Sequence, residues 1–311
     1  MTATPFRIGT RGSPLALAQA HMTRDALVAA HPALAAPGAV EIVVVRTTGD
    51  AVQDRRLSEI GGKGLFTKEI EDQLVAGTVD IGVHSSKDMP PRLPDGLTLA
   101  AFLPREDARD ALIAPAGART IAELPRGATV ATVALRRQAL LLHRRPDLRV
   151  VAIRGNVDTR LRKLDEGVAQ ALILARAGLN RLDKRDLGAA IPAGDMLPAV
   201  GQGAVCVECR AGDARALALL AAINHAPTDM CVRAEMAMLR VLDGSCRTPI
   251  AGHATLLDGG GAMWLRALVA RPDGSEVIAT ERRGPAPTGE AMGIDAGEEL
   301  RRRAGPDFFA T

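Results

Sequence analysis

The chain of 311 residues has no tyrosine, one tryptophan and five phenylalanines, so aromatic side chains make up only 2% of it. Proteins that hold single-stranded bases stack them on such rings, and a net charge of +3 supplies no broad basic field. A nucleic-acid partner is therefore not expected. No apolar run approaches the roughly 20 residues that cross a bilayer, so no membrane partner is expected either. Met1–Arg7 is short and polar, without the apolar core of a secretion signal. The expectation is a soluble, cytoplasmic protein. Cysteine is scarce, at positions 206, 209, 231 and 246. Cys206-Val-Glu-Cys209 has the spacing of a redox or zinc pair. The run around it reads as a strand, however, on which residues three apart point to opposite faces. No second Cys or His pair completes a zinc set, so no metal is expected. Cys231 falls in a helical pattern and reads as packing.

Hydrophobic residues make up 47% of the chain, and its length suits two or three domains. In the first two-thirds, strand-like runs alternate with helical patterns. Arg7–Thr10 reads as a strand. Ser13-Pro14 then opens a helix to about Ala30, with Ser as cap and Pro at the first helical position. Val40–Arg46 and Val79–Val83 read as strands around a helix over Leu65–Ala76. After Pro104, strands are expected at Ala111–Ala114, Ala128–Val133, Val150–Ile153 and Ala171–Ala175, with helices Arg136–Arg144, Val157–Glu166 and Arg176–Leu182 among them. Gly203–Cys209 is one more strand. This is an α/β pattern with parallel-rich sheets. The last third differs: a helix over Asp229–Leu242, three strands separated by glycine-rich turns, and a closing helix make a smaller α+β unit.

Ligands of open α/β sheets bind beyond the carboxyl ends of the strands. Arginines collect there: Arg11 after the first strand, Arg136 and Arg137 after the strand ending at Val133, and Arg154 and Arg160 beyond Ile153. Helix N-termini add unpaired N–H groups and a dipole that favours anions. Together these describe a cleft for a ligand with several carboxylates or phosphates, which arginine binds bidentately. His84-Ser-Ser-Lys-Asp-Met-Pro90 follows a strand and places Asp88 beside Lys87, where a carboxylate can stabilise a developing cation. Each of these residues has a plainer reading as a helix-start or loop residue, and His84 reads more simply as a structural histidine. Ile60-Gly-Gly-Lys-Gly-Leu65 lacks the ending of a P-loop and reads either as a flexible lid over the cleft, with Lys63 reaching an anion, or as a plain solvent loop. Leu242-Asp-Gly-Ser-Cys-Arg-Thr-Pro249 puts Cys246 in a loop beside Arg247, either as a nucleophile or attachment point or as an inert buried thiol.

Several motifs in order resemble the porphobilinogen deaminase family: Gly9-Thr-Arg-Gly-Ser-Pro-Leu-Ala16, Gly61-Gly-Lys-Gly-Leu-Phe66, His84-Ser-Ser-Lys-Asp88, Leu135-Arg-Arg-Gln138, Arg154-Gly-Asn156, Pro198-Ala-Val-Gly-Gln-Gly-Ala204 and Gly244-Ser-Cys246. The resemblance implies two lobes like those of a periplasmic binding protein, hinged around a cleft, plus a third domain that carries the cofactor. It places domain 1 at residues 1–103 and 203–224, domain 2 at 104–202 and domain 3 at 225–311. It also implies the reaction: four porphobilinogen molecules are joined into hydroxymethylbilane with loss of ammonia, on a dipyrromethane cofactor held by a thioether to Cys246. Asp88 matches the catalytic aspartate, which meets pyrrole nitrogens and a cationic azafulvene. Arg11, Ser13, Lys87, Arg136, Arg137, Arg154 and Arg160 match positions that bind acetate and propionate groups. Ser85, Thr132 and Gln202 match further cofactor-binding positions, and Lys63 belongs to a mobile loop. A monomer is implied.

Three departures from the family pattern stand out. Ala131-Thr-Val-Ala-Leu-Arg-Arg137 replaces Gly-Thr-Ser-Ser-Leu-Arg-Arg and loses two hydroxyls. Glu59 stands where a basic loop residue is frequent. Asp158 adds a negative charge near Arg154 and Arg160 where Gly is common. Two other readings compete. A non-catalytic two-lobed anion-binding protein would need the arginines but not Cys246. A cysteine hydrolase would need Cys246 partnered by His84 or His253.

Overall fold

The computed structural model describes residues 4–51, 66–243 and 248–308. β1 (Phe6–Arg11) leads into α1 (Pro14–Ala30), β2 (Val40–Val45), a short α2 (Thr48–Ala51), α3 (Lys68–Val75), β3 (Ile81–Ser85) and β4 (Leu97–Phe102). Next come β5 (Asp110–Ile113), β6 (Thr129–Ala131), α4 (Leu135–Arg144), β7 (Arg149–Val151), α5 (Val157–Asp165), β8 (Ala171–Ala175), α6 (Arg176–Arg181) and β9 (Ala189–Ala190). The remainder is β10 (Val205–Arg210), α7 (Ala214–Ala221), α8 (Ala226–Leu242), β11 (Ile250–Leu257), β12 (Ala262–Ala270), β13 (Val277–Pro285) and α9 (Gly289–Ala304).

The first sheet has the order β2-β1-β3-β10-β4 and the second β7-β6-β8-β5-β9. In each, one strand runs against the other four: β10 in the first, antiparallel to β3 and β4, and β5 in the second, antiparallel to β8 and β9. The reversed strand in each sheet is the first that the chain contributes after crossing from the other sheet, and β10 returns the chain to the first lobe after the whole of the second. At the return crossing Gly203 has φ +88, and a Cβ there would lie 2.4 Å from the Glu106 carbonyl oxygen of the outgoing crossing. The two crossings therefore lie against each other, and glycine permits that approach.

Local chemistry sets the element boundaries. Ser13 caps α1 by accepting from the Ala16 N–H at 3.3 Å, with Pro14 in the first turn. The buried stripe Ala16, Ala20, Thr23 and Leu27 lays that helix on the sheet, where Phe6, Ile8, Leu27 and Ile81 are enclosed. Full burial of side chains of this size contributes about 1.5–3 kcal/mol each. β6 ends at Ala131, two residues before the expected end, and beyond it the Thr132 hydroxyl accepts from the Ala134 N–H at 3.3 Å. β4 and the two-residue β9 were not foreseen from the sequence.

The antiparallel sheet β11-β12-β13 packs on α8 and α9 and touches both lobes. Met236, Met238 and Ile250 join Phe102 and Cys206 in one cluster, while Ala251, Leu268 and Ala270 join Leu140 and Ile173 in another. Cys206 and Cys209 fall in clusters on opposite faces of β10. Burial pushes their thiols up to about 12 and about 11, and that of Cys231 to about 11, so none offers a thiolate near neutral pH.

Candidate functional site

A cleft of about 790 Å³ opens between the lobes, at the carboxyl ends of their parallel strands. Arg11, Ser13, Ser85, Lys87 and Asp88 reach it from the first lobe. Arg136, Arg137, Arg154 and Arg160 reach it from the second, and Gln202 from the return crossing. Leu239, Thr248 and Ile250 of the third unit close one side. Cys246, Lys63 and Glu59 lie outside the described residues, although Leu239 and Thr248, on either side of the Cys246 segment, both line the cleft. Thr132 is not among the lining residues. It is buried, and its hydroxyl is engaged with the Ala134 N–H.

The second-lobe wall is the more heavily built. Arg136 and Arg137 are 6% and 5% exposed, and both meet the fully buried Asp110. Arg136 Nη2 lies 2.8 Å from Asp110 Oδ2, and its Nη1 donates to the Leu197 carbonyl at 2.7 Å. Arg137 approaches Asp110 Oδ1 through Nε at 3.1 Å and Nη2 at 2.9 Å, and Nη1 donates to the Ile173 carbonyl at 3.0 Å. Gln202, expected to face a ligand, donates from Nε2 to Asp110 Oδ1 at 2.8 Å and to the Ala108 carbonyl at 2.7 Å. Both its N–H groups are thus committed to the protein, leaving its carbonyl oxygen for any cleft contact. Arg160 donates to the Gly155 carbonyl at 2.8 Å. Burial, reinforced by Arg137 and Arg154, lowers its guanidinium to about 10. Arg154 Nη1 is buried and has no hydrogen-bond partner within the protein. A buried cationic donor of this kind is normally satisfied, and Arg154 lines the cleft.

On the opposite wall, Arg11 stacks over the Phe66 ring at 4.1 Å. Gln19, buried in α1, donates to the Ser85 hydroxyl at 2.8 Å. Ser13 combines a place on the cleft wall with its capping role. Burial lowers Lys87 to about 8; Asp88 and Asp110 oppose the shift, and Arg137 and Arg136 add to it. His84 does not face this chemistry: its ring is buried 3.2 Å from Glu208.

Two of the departures can be located. Val133 and Ala134 stand on the cleft wall, and Ala134, at the cap position of α4, makes no side-chain cap bond, whereas Asn156 caps α5 by accepting from the Thr159 N–H at 2.9 Å. Asp158 lines the cleft, but its charge is met by Lys184 at 3.1 Å. Sequence reasoning missed Asp110 and Gln19. Asp110 had left a signal, an acid heading the apolar strand Asp110-Ala-Leu-Ile113, a place where a charge needs a partner. Gln19 left none beyond a polar residue on the buried stripe of α1.

Seven cations (Arg11, Arg46, Lys87, Arg136, Arg137, Arg154 and Arg160) and two carboxylates, Asp88 and the Lys184-paired Asp158, line the cleft, an excess of positive charge that suits a ligand with several carboxylates. Two comparisons bear on that geometry. Residues 6–218 match the family description "Porphobilinogen deaminase, dipyromethane cofactor binding domain", and residues 230–302 match "Porphobilinogen deaminase, C-terminal domain". The chain is 58% identical over 306 residues to the porphobilinogen deaminase of Paracoccus denitrificans, covering 98% of this chain and 96% of that protein. It is 53% identical over 307 residues to the chloroplastic enzyme of that name from Oryza sativa, covering 98% of this chain and 85% of that protein. Among solved structures, the BvgS VFT2 domain of Bordetella pertussis is similar at a TM-score of 0.40 with 15% identity, covering 74% of this chain and 90% of that one. The chain, matched by both family descriptions and by relatives along nearly its whole length, belongs to the porphobilinogen deaminase family.

Proposed function

We propose that this chain joins four porphobilinogen molecules into hydroxymethylbilane, releasing four ammonia molecules and taking up one water, on a dipyrromethane bound through a thioether to Cys246. The observation that carries the reading is the convergence of Asp88 and Lys87 from one lobe with Arg136, Arg137, Arg154 and Arg160 from the other. Family membership supports the same reaction.

The residues present fit a dipyrromethane. Its rings carry acetate and propionate groups, and the cleft offers guanidiniums and the unmatched Arg154 Nη1 to receive them. The group supplies the pyrrole carbon to which the first porphobilinogen is joined. Arg136, Arg137, Arg154 and Arg160 would hold side-chain carboxylates on the second-lobe wall, with Arg11, Ser13 and Lys87 opposite. Desolvation makes these pairings stronger than they would be in water. Asp88 would stabilise the positive charge that spreads over the porphobilinogen ring as its C–N bond breaks, and would take up the pyrrole proton. Ammonia leaves with the bonding electron pair.

The reading includes a cytoplasmic monomer acting on a small molecule, with no nucleic-acid or membrane partner. Among the described residues no helix is long and apolar enough to cross a membrane. It also includes the division into domains 1–103 with 203–224, 104–202, and 225–311, which the strand membership of the three sheets supports.

The deciding experiment is the intact mass of the purified chain. The expected mass exceeds that of the sequence by one dipyrromethane, returns to the bare value in Cys246→Ala, and accompanies porphobilinogen consumption in the parent only. A bare parent chain, or an adduct that persists in Cys246→Ala, would defeat the assignment.

A further inference from the structure

We infer that Asp110 is a positioning residue for the reaction: a single buried carboxylate that aligns the Arg136 and Arg137 guanidiniums and ties them, through Gln202, to the chain crossings between the lobes. The inference rests on the reading of these arginines as carboxylate binders.

The geometry is that of a shared counterion. Asp110 is fully buried at the head of β5, the first residue of the second sheet after the outgoing crossing. Its Oδ2 faces Arg136, and its Oδ1 takes Arg137 and Gln202. Each guanidinium is also held at its other end, by the Leu197 or the Ile173 carbonyl. A planar group fixed at two points cannot rotate, so its remaining N–H groups keep one direction. Two adjacent cations in a wall this dry would otherwise repel each other with little screening. One fixed carboxylate against two cations leaves one positive charge, which one ligand carboxylate balances. Burial by itself pushes the Asp110 carboxyl up; the Arg136 and Arg137 charges and the Gln202 hydrogen bond more than reverse this, leaving it lowered and therefore ionised at neutral pH. Gln202 extends the same cluster to Ala108, so the arginine wall and both crossings share one set of bonds.

Asp110→Asn keeps the shape and one acceptor, but turns an N–H toward Arg136 and removes the charge. In the holoenzyme, kcat/KM for porphobilinogen is expected to fall roughly 100-fold, the cost typical of misplacing a binding group, mostly through KM because Asp110 touches no reacting atom. The fraction of chains carrying the adduct, read by mass, is expected to fall with it. A structural role alone would not make the loss depend on the arginines. In an Arg136→Gln, Arg137→Gln background, therefore, Asp110→Asn is expected to cost nothing further in adduct fraction or KM. Full additivity of these effects, or a folded Asp110→Asn protein with the parent's KM and adduct fraction, overturns the inference. If Asp110→Asn alone does not fold, the triple variant decides. Folding restored by removing both guanidiniums supports the counterion role, and folding not restored overturns it. A parent chain inert toward porphobilinogen would instead defeat the functional reading, and this inference with it.

Discussion

Arg105 and Glu235 are joined by two hydrogen bonds, at 2.6 and 3.1 Å, where the three parts of the molecule meet. Glu235, fully buried on α8, also accepts from the Gly201 N–H at 2.7 Å and the Ala254 N–H at 2.8 Å. Arg105 belongs to the outgoing crossing, Gly201 to the return crossing and Ala254 to β11. Arg105 Nε further donates to the Gln202 carbonyl at 2.9 Å. One carboxylate thus fixes both crossings against the third unit.

Removing one partner of a buried pair costs about 3–5 kcal/mol, because the other charge is left uncompensated. Glu235→Ala is therefore expected to lower the urea midpoint sharply, and Glu235→Gln, which keeps an acceptor, to lower it less. Equal midpoints for parent and Glu235→Ala would show that the joint does not depend on this carboxylate.

Much of this arrangement could be read in the sequence where the signal was local. Ser13-Pro14 announced the start of α1, and β8 has the expected bounds, because capping and apolar patterning act over a few residues. The three-residue spacing of Cys206 and Cys209 predicted opposite faces, and they lie on opposite faces. What could not be read depends on distant parts of the chain. β10 pairs with β3 and β4 only after the chain has passed through the whole second lobe, a pairing that no window of residues reveals. Gln202 lines the cleft as expected, but the bonds of its amide nitrogen to Asp110, 92 positions away, and to the Ala108 carbonyl could not be read locally. The negative charge that Asp158 adds near Arg154 and Arg160 is met by Lys184, 26 positions on and equally out of local view.

Asp88→Asn tests the carboxylate at the centre of the cleft. The amide keeps the shape and removes the charge that stabilises a developing cation, a type of electrostatic contribution worth roughly 100- to 1,000-fold in kcat. The expected protein folds and melts like the parent, with turnover lower by at least that factor. A well-folded variant with near-parent turnover would exclude Asp88 from the chemistry.

Lys87 predicts a pH dependence. Lowered to about 8, it loses its charge as the pH rises through that value, and with the charge it loses its attraction for a carboxylate. The kcat/KM for porphobilinogen, which reports the free enzyme, is expected to fall above about pH 8. Lys87→Arg, which stays charged, is expected to move that limb upward; an identical limb in both proteins would assign it to another group. Stability runs the other way. Between about 8 and the ordinary lysine value of 10.5 the unfolded chain binds more protons, so this group's contribution to stability rises with pH there.

The start of α4 offers a gain of function. Ala134 occupies the cap position with no side-chain hydrogen bond, and Val133 beside it presents an apolar side chain to the cleft. A serine at the cap stabilises a helix start by about 1 kcal/mol relative to alanine. A hydroxyl donating to a ligand carboxylate contributes about 1.5–3 kcal/mol when well aligned. On the proposed reading the helix N-terminus, Arg136 and Arg137 would still hold the cofactor, so the parent is expected to bind it less tightly than it could, without failing to bind it. Val133→Ser with Ala134→Ser should raise the melting temperature slightly, and should raise the fraction of chains carrying the adduct or the rate of porphobilinogen consumption. The two effects separate by variant. Ala134→Ser alone supplies the cap, whereas any gain that needs Val133→Ser must come from the cleft. A double variant with the parent's adduct fraction and rate would mean that the ligand carboxylates on this wall are already matched by the backbone N–H groups and the arginine pair, and that the missing hydroxyls cost this protein nothing.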